Sequence, residues 1–229
     1  MAEPSLLERI LFGRPRLYAL KRFVIEEVLW RWLLGGVLRL DPHPLPDLRD
    51  RFAGRRVLVA ACGPGDAGPP LEGADRVTAF DVSPEFAGAC RARHPRWHVH
   101  CADLVRIPHR DRAFDVSVLY STLHHFPPGA RAALAELARV TRGRIVLLEG
   151  LVPERGLLRA LLLVWYRLVD GGHHYYTMDE LVGAIQELGL RIEFSRRCGP
   201  IRHLWLAELV CDGEGNASLP CGTGSRVAA

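Results

Sequence analysis

The chain has 229 residues, 48% of them hydrophobic and 24% charged, which suits one domain of ordinary size with a sizeable core and excludes disordered, collagen-like and disulfide-scaffold classes. With 30 basic against 26 acidic residues the net charge is only +4 and no run of five like charges occurs, so the concentrated basic footprint of a nucleic-acid binder is missing. Cys62, Cys90, Cys101, Cys198, Cys211 and Cys221 form no C-x-x-C pair, and Glu3 and Glu8 interrupt the charged-then-apolar layout of a secretory leader. Free thiols in a cytoplasmic protein are expected.

In chain order, the stretch from Leu17 to Leu40 is apolar with Arg22 and Glu26, then Glu27 and Arg31, four apart, which predicts a long amphipathic helix. Asp41, Pro42, Pro44 and Pro46 stop it, so residues 1–46 read as an N-terminal helical lid and 47–212 as the main domain. Short β-rich runs then alternate with helical stretches: RRVLVAA (55–61), RVTAFDV (76–82), WHVHCAD (97–103), AFDVSVLYS (113–121) and GRIVLLEG (143–150) are strands, and 84–93 and 128–140 are helices. In the second helix Ala130, Leu134, Leu137 and Ala138 share one face. This alternation predicts an α/β fold with a doubly wound, mostly parallel sheet. Residues 156–169 and 178–188 follow as helices, with cap helices placed around 151–180. LRIEFSRR (190–197) and HLWLAELV (203–210) complete seven strands; their connection is too short for a crossover helix, so the last strand should be antiparallel. The Gly- and Ser-rich stretch 213–229 reads as a disordered tail.

The segment VLVAACGPGDAG (57–68) carries chemistry, because a buried strand running into glycines lets backbone approach a ligand. Gly63, Gly65 and Gly68 spell G-x-G-x-x-G and Asp81 ends the next strand, as in a nicotinamide dinucleotide site. Pro69 and Pro70 then remove donors where the pyrophosphate-binding helix would run, which argues against that ligand. A plain glycine turn is the other possibility.

Further along, Asp103 ends the third strand, and Tyr120, Ser121, His124 and His125 crowd the exit of the fourth. The ordered series ACGPG, FDVSPEF, CADLVRIP, FDVSVLYSTLHHF and ELARVTRGRIVLLEG, within residues 55–150, resembles a class I S-adenosylmethionine-dependent methyltransferase. The likeness is to the small-molecule kind related to ubiquinone and menaquinone biosynthesis enzymes. The resemblance implies that Ala61, Cys62, Gly63 and Gly65 lie against the methionine part of S-adenosyl-L-methionine and that Asp81 accepts both ribose hydroxyls. It further implies that Val82 flanks the adenine, that Asp103 accepts from the adenine amino group while the Leu104 amide donates to a ring nitrogen, and that Tyr120 lies beneath the methionine moiety. Two positions depart from the family: Val59 replaces the usual acidic residue of strand one and Ala61 the usual first glycine.

His125, His124 and His173 are the candidate bases, the first two at the strand edge where open α/β sheets bind ligands, the third in a His-His-Tyr-Tyr cluster that the resemblance places over the substrate pocket, an exposed interhelical loop being the other reading. The histidines lack the spacing of a metal site, and no metal is expected. The apolar run 156–169 would be about 21 Å long as a helix, too short to span hydrocarbon. With the Trp30 and Trp32 helix it lines a hydrophobic chamber, peripheral membrane contact being the lesser reading. The expected function is methyl transfer to a hydrophobic or aromatic small molecule, without nucleic acid. The rivals are a non-catalytic or repurposed fold that binds an adenosyl ligand, and an RNA methyltransferase.

Overall fold

The structure is a computed structural model, described for residues 20, 48–65, 71–126, 130–169, 172–198 and 204–211. The helix expected over Leu17–Leu40, the lid, Pro69, Pro70, Pro128 and the tail fall outside the described residues, apart from helical, exposed Leu20.

Five parallel strands, β1 (Arg56–Ala60), β2 (Arg76–Asp81), β3 (His98–Cys101), β4 (Phe114–Tyr120) and β5 (Thr141–Gly150), join β6 (Leu190–Cys198) and β7 (Leu204–Cys211) in one seven-stranded sheet of order β3-β2-β1-β4-β5-β7-β6. β7 lies antiparallel to both β5 and β6, as the short connection requires. The inner strands read as continuous apolar runs because both faces are covered: Val57, Leu58, Val59 and Ala60 of β1 are all buried, split between two core clusters on opposite faces.

α2 (Pro84–Arg93) starts where Ser83 accepts the Phe86 N–H and proline, which has no donor to waste, occupies the first turn. α3 (Ala130–Val140) buries Ala130, Ala133, Leu134, Leu137 and Val140, the spacing of one helical face. It passes into β5 without a loop, so that strand begins at Thr141, two residues earlier than its apolar pattern suggests. α4 (Leu157–Val169) presses Leu162, Leu163 and Tyr166 onto Val152 and Tyr175, and α5 (Met178–Glu187) opens on a reciprocal Thr177 and Glu180 capping box. The sequence reading misses the short α1 (Arg49–Phe52), which plants fully buried Phe52 beneath the sheet. It also misses the buried carboxylate of Glu208 in β7, held by Arg51 and Arg144.

β1 pairs in parallel with β2 on one side and with β4 on the other, so the chain winds away in both directions from the β1/β4 pair. Loops leaving the carboxyl ends of these two strands must diverge, one above the sheet and one below. The crevice this opens is where ligands bind in doubly wound sheets.

Candidate active site

The turn after β1 is built from left-handed backbone: Ala61 has φ +49°, Gly63 +54° and Gly65 +77°. Gly65 has a second reason to lack a side chain, since a Cβ there would lie 2.9 Å from both Cys90 Sγ and His94 Cδ2 of the neighbouring helix region. His94 Nε2–H donates to the Gly65 carbonyl at 2.6 Å and its ring stacks on Trp97 at 3.8 Å, clamping the turn from outside. Cys62 is buried behind the turn, and hydrogen bonding to Cys90 together with burial pushes its thiol well above the ordinary range. Both cysteines are free.

Ala61 holds a conformation that costs an L-residue roughly 1–2 kcal/mol. Ala61→Gly should therefore stabilise the protein by about 0.5–1 kcal/mol after allowing for the greater freedom of glycine in the unfolded chain. Denaturant unfolding reads this directly, and an unchanged or lower midpoint would contradict it.

Asp81, at the carboxyl end of β2, is 6% exposed. One oxygen accepts the Gly63 N–H at 2.8 Å and the other the Ser83 N–H at 2.9 Å, so the carboxylate ties the β1 turn to the start of α2. Burial raises its pKa above the usual carboxylate value, and the two N–H donors and the nearby His125 only partly oppose this. Val82, beside it, is 72% exposed. Asp81 is level with Cys101 in the β2/β3 register, and its carbonyl accepts the Ala102 N–H, which sets Asp103 and buried Leu104 just beyond on the same edge. Asp103 shapes its own turn by accepting the Val105 N–H at 3.1 Å. A buried carboxylate, a bare apolar side chain and a turn with a further carboxylate thus follow one another along the edge. Those groups suit a ribose diol and a flat, hydrogen-bonding base.

On the other side of the crevice, Tyr120 ends β4 half-buried, and its carbonyl accepts the Thr122 hydroxyl at 2.6 Å. A single 3-10 turn, Leu123–His125, places the two histidines differently. His124 is 2% exposed and its Nδ1–H donates to Glu149 Oε1 at 2.6 Å; His125 is half-buried, its ring 4.3 Å from that of His124. His173 is brought to the same place through its backbone, which donates to the His124 carbonyl at 2.8 Å. Glu149 is the residue the sequence reading passes over. A charged residue buried in an apolar strand needs donors, and the histidine that supplies one lies 25 positions away, so no local signal marks the pair. Among the described residues no group of three or more His, Cys, Asp or Glu could hold a metal ion, and no helix is long and apolar enough to cross a membrane.

The sheet order and its antiparallel last strand define a Rossmann-like methyltransferase fold. Residues 57–143 match the model of the methyltransferase domain family. A probable S-adenosylmethionine-dependent methyltransferase of Mycobacterium tuberculosis is 34% identical over 109 residues, which are 47% of this chain and 39% of that protein. The chain therefore spans well under half the length of the curated relative it matches. Among solved structures, magnesium protoporphyrin IX methyltransferase from Synechocystis, with bound S-adenosylhomocysteine, superposes with a TM-score of 0.55 at 18% identity, covering 92% of this chain and 89% of that one. The [4+2]-cyclase SpnF gives a TM-score of 0.52 at 22% identity over 66% of this chain and 58% of that one.

Proposed function

We propose that the protein transfers the methyl group of S-adenosyl-L-methionine to a hydrophobic or aromatic small molecule. The observation that carries this reading is Asp81: an ionisable carboxylate buried at the switch-point crevice, beside exposed Val82, with both oxygens already turned to donors. When bound, the cofactor supplies an electrophilic methyl group on a sulfonium. The chain's own residues hold the rest. Asp81 takes the ribose hydroxyls, Val82 and the Asp103–Leu104 turn flank the base, and the 61–65 turn with Tyr120 borders the methionine end.

The acceptor side is aromatic, with Tyr166 and Tyr175 stacked at 4.6 Å. The neighbouring α4 leaves Leu157, Leu158, Leu161 and Val164 exposed, a surface suited to an apolar guest or to resting on a lipid surface. Residues 1–46 are assigned the covering role and the protein a cytoplasmic setting, where its thiols stay reduced. Native mass spectrometry of the purified full chain tests the cofactor: an adenosyl ligand should copurify or bind on addition. Binding of NAD without any response to S-adenosylhomocysteine would overturn the reading.

A second reading has its own support in Ala61. An alanine in left-handed backbone at the methionine end weakens the case for a turn evolved around methyl transfer, and the likeness to a cyclase puts the same fold in other chemistry. Binding of S-adenosylhomocysteine with no methyl transfer to any small molecule would favour it.

A further inference from the structure

We infer that Glu149 is a positioning residue that acts through His124, fixing the segment 172–176 that closes the acceptor side; the inference rests on the methyl-transfer reading for what that segment covers. Glu149 lies in β5 with no exposure to solvent, yet four donors converge on its two oxygens. Oε2 accepts the Thr122 and Leu123 N–H groups at 3.0 and 2.8 Å, and Oε1 accepts Gly150 N–H at 3.1 Å and His124 Nδ1–H at 2.6 Å. A carboxylate can only accept, so the imidazole proton sits on Nδ1 and the ring is fixed in orientation.

What rests on that ring is the closing segment. Tyr175 lies nearly parallel to His124 at 5.3 Å and to Tyr166 of α4 at 4.6 Å. The His124 carbonyl accepts the His173 and His174 N–H groups at 2.8 and 3.0 Å, and the Tyr175 hydroxyl accepts the Gly172 N–H at 2.9 Å. Gly172 sits so close that a Cβ there would come within 2.6 Å of His124 Cδ2. The order of support therefore runs from the sheet to Glu149, to the His124 ring and carbonyl, and then to residues 172–176 and α4. Packing alone would be served by an apolar residue at 149, as in the Ile145–Leu148 run before it; a buried charge there is justified by the donors it orients.

The test uses the full chain with Glu149→Gln and His124→Phe, the second keeping a flat ring for the tyrosine stack while removing the Nδ1 donor. Hydrogen exchange at the His173 and His174 amides should quicken at least tenfold in both variants, while amides of β1 and β4 and the affinity for S-adenosylhomocysteine stay within threefold of the parent. In Glu149→Gln the nitrogen-15 signals of the His124 ring should move as the charged acceptor is lost. If these amides exchange at the parental rate and the ring signals stay put, the inference is wrong. It is equally wrong if exchange rises everywhere and ligand binding collapses, because Glu149 would then be only a member of the core. Failure of the parent protein to bind S-adenosylhomocysteine would instead sink the cofactor reading and leave the exchange result to be judged on its own.

Discussion

Asp81→Ala is expected to weaken S-adenosylhomocysteine binding by about 1.5–3 kcal/mol, the range for hydrogen bonds to a charged group, or roughly 10- to 150-fold. The loss has two sources. The ribose hydroxyls lose an acceptor with two oxygens, and the Gly63 and Ser83 N–H groups lose the partner that joins the β1 turn to α2. Asp81→Asn keeps one acceptor oxygen and should fall between the parent and the alanine variant in titration calorimetry. The pH dependence separates the two roles of this group. Burial holds its folded pKa above the ordinary 3.8, so its contribution to stability is fully present below the unfolded value and is lost as pH rises through the folded one. Ligand affinity runs the opposite way, since hydroxyl donors favour the ionised form and binding should weaken as pH falls through the raised pKa. An Asp81→Ala protein that binds S-adenosylhomocysteine as tightly as the parent would remove Asp81 from the site.

The fold is more legible in the sequence than the site, because strands and caps leave local patterns while the site is assembled from distant elements. Strands β1, β2, β4 and β5 announce themselves because both faces are largely buried, so VLVA, VTAF and VSVL appear as short apolar runs whatever they contact. α2 is equally plain, because Ser83 and Pro84 are local signals for a local structure. α1 left no such trace: four residues carry no periodicity, and its worth lies in Phe52 reaching a core made by distant strands. The same limit hid the Glu149–His124 pair. Its members are 25 positions apart and meet only because β4 and β5 are neighbours in register, with Tyr120 level with Leu148. Ala61 is a mixed case. The family resemblance marked it as standing where glycine is usual, but only the backbone at φ +49° turns that departure into a strain with a measurable cost.

The geometry also orders the three candidate bases, and the second large effect follows from that order. His124 is committed, its Nδ1–H donating to Glu149 and its ring sandwiched towards Tyr175. His173 is anchored by its backbone to the His124 carbonyl, in the segment that closes over the turn. His125 is half-buried, as His173 is, but it lies next to the crevice and near enough for its charge to act on the carboxylate of Asp81. An imidazole so placed can take the proton of a phenol or another weak acid as the acceptor oxygen or nitrogen attacks, a contribution of about 10²- to 10⁴-fold where proton transfer is needed. His125→Ala should accordingly lower turnover of such an acceptor about a hundredfold or more, with S-adenosylhomocysteine affinity nearly unchanged, because the lost interaction belongs to the reacting centre. His124→Ala should be slower too, but with looser closure of the acceptor side, which appears as a raised KM. If single alanine substitutions of His125, His124 and His173 each cost less than about threefold, the acceptor arrives already nucleophilic and alignment of the two reactants alone carries the rate.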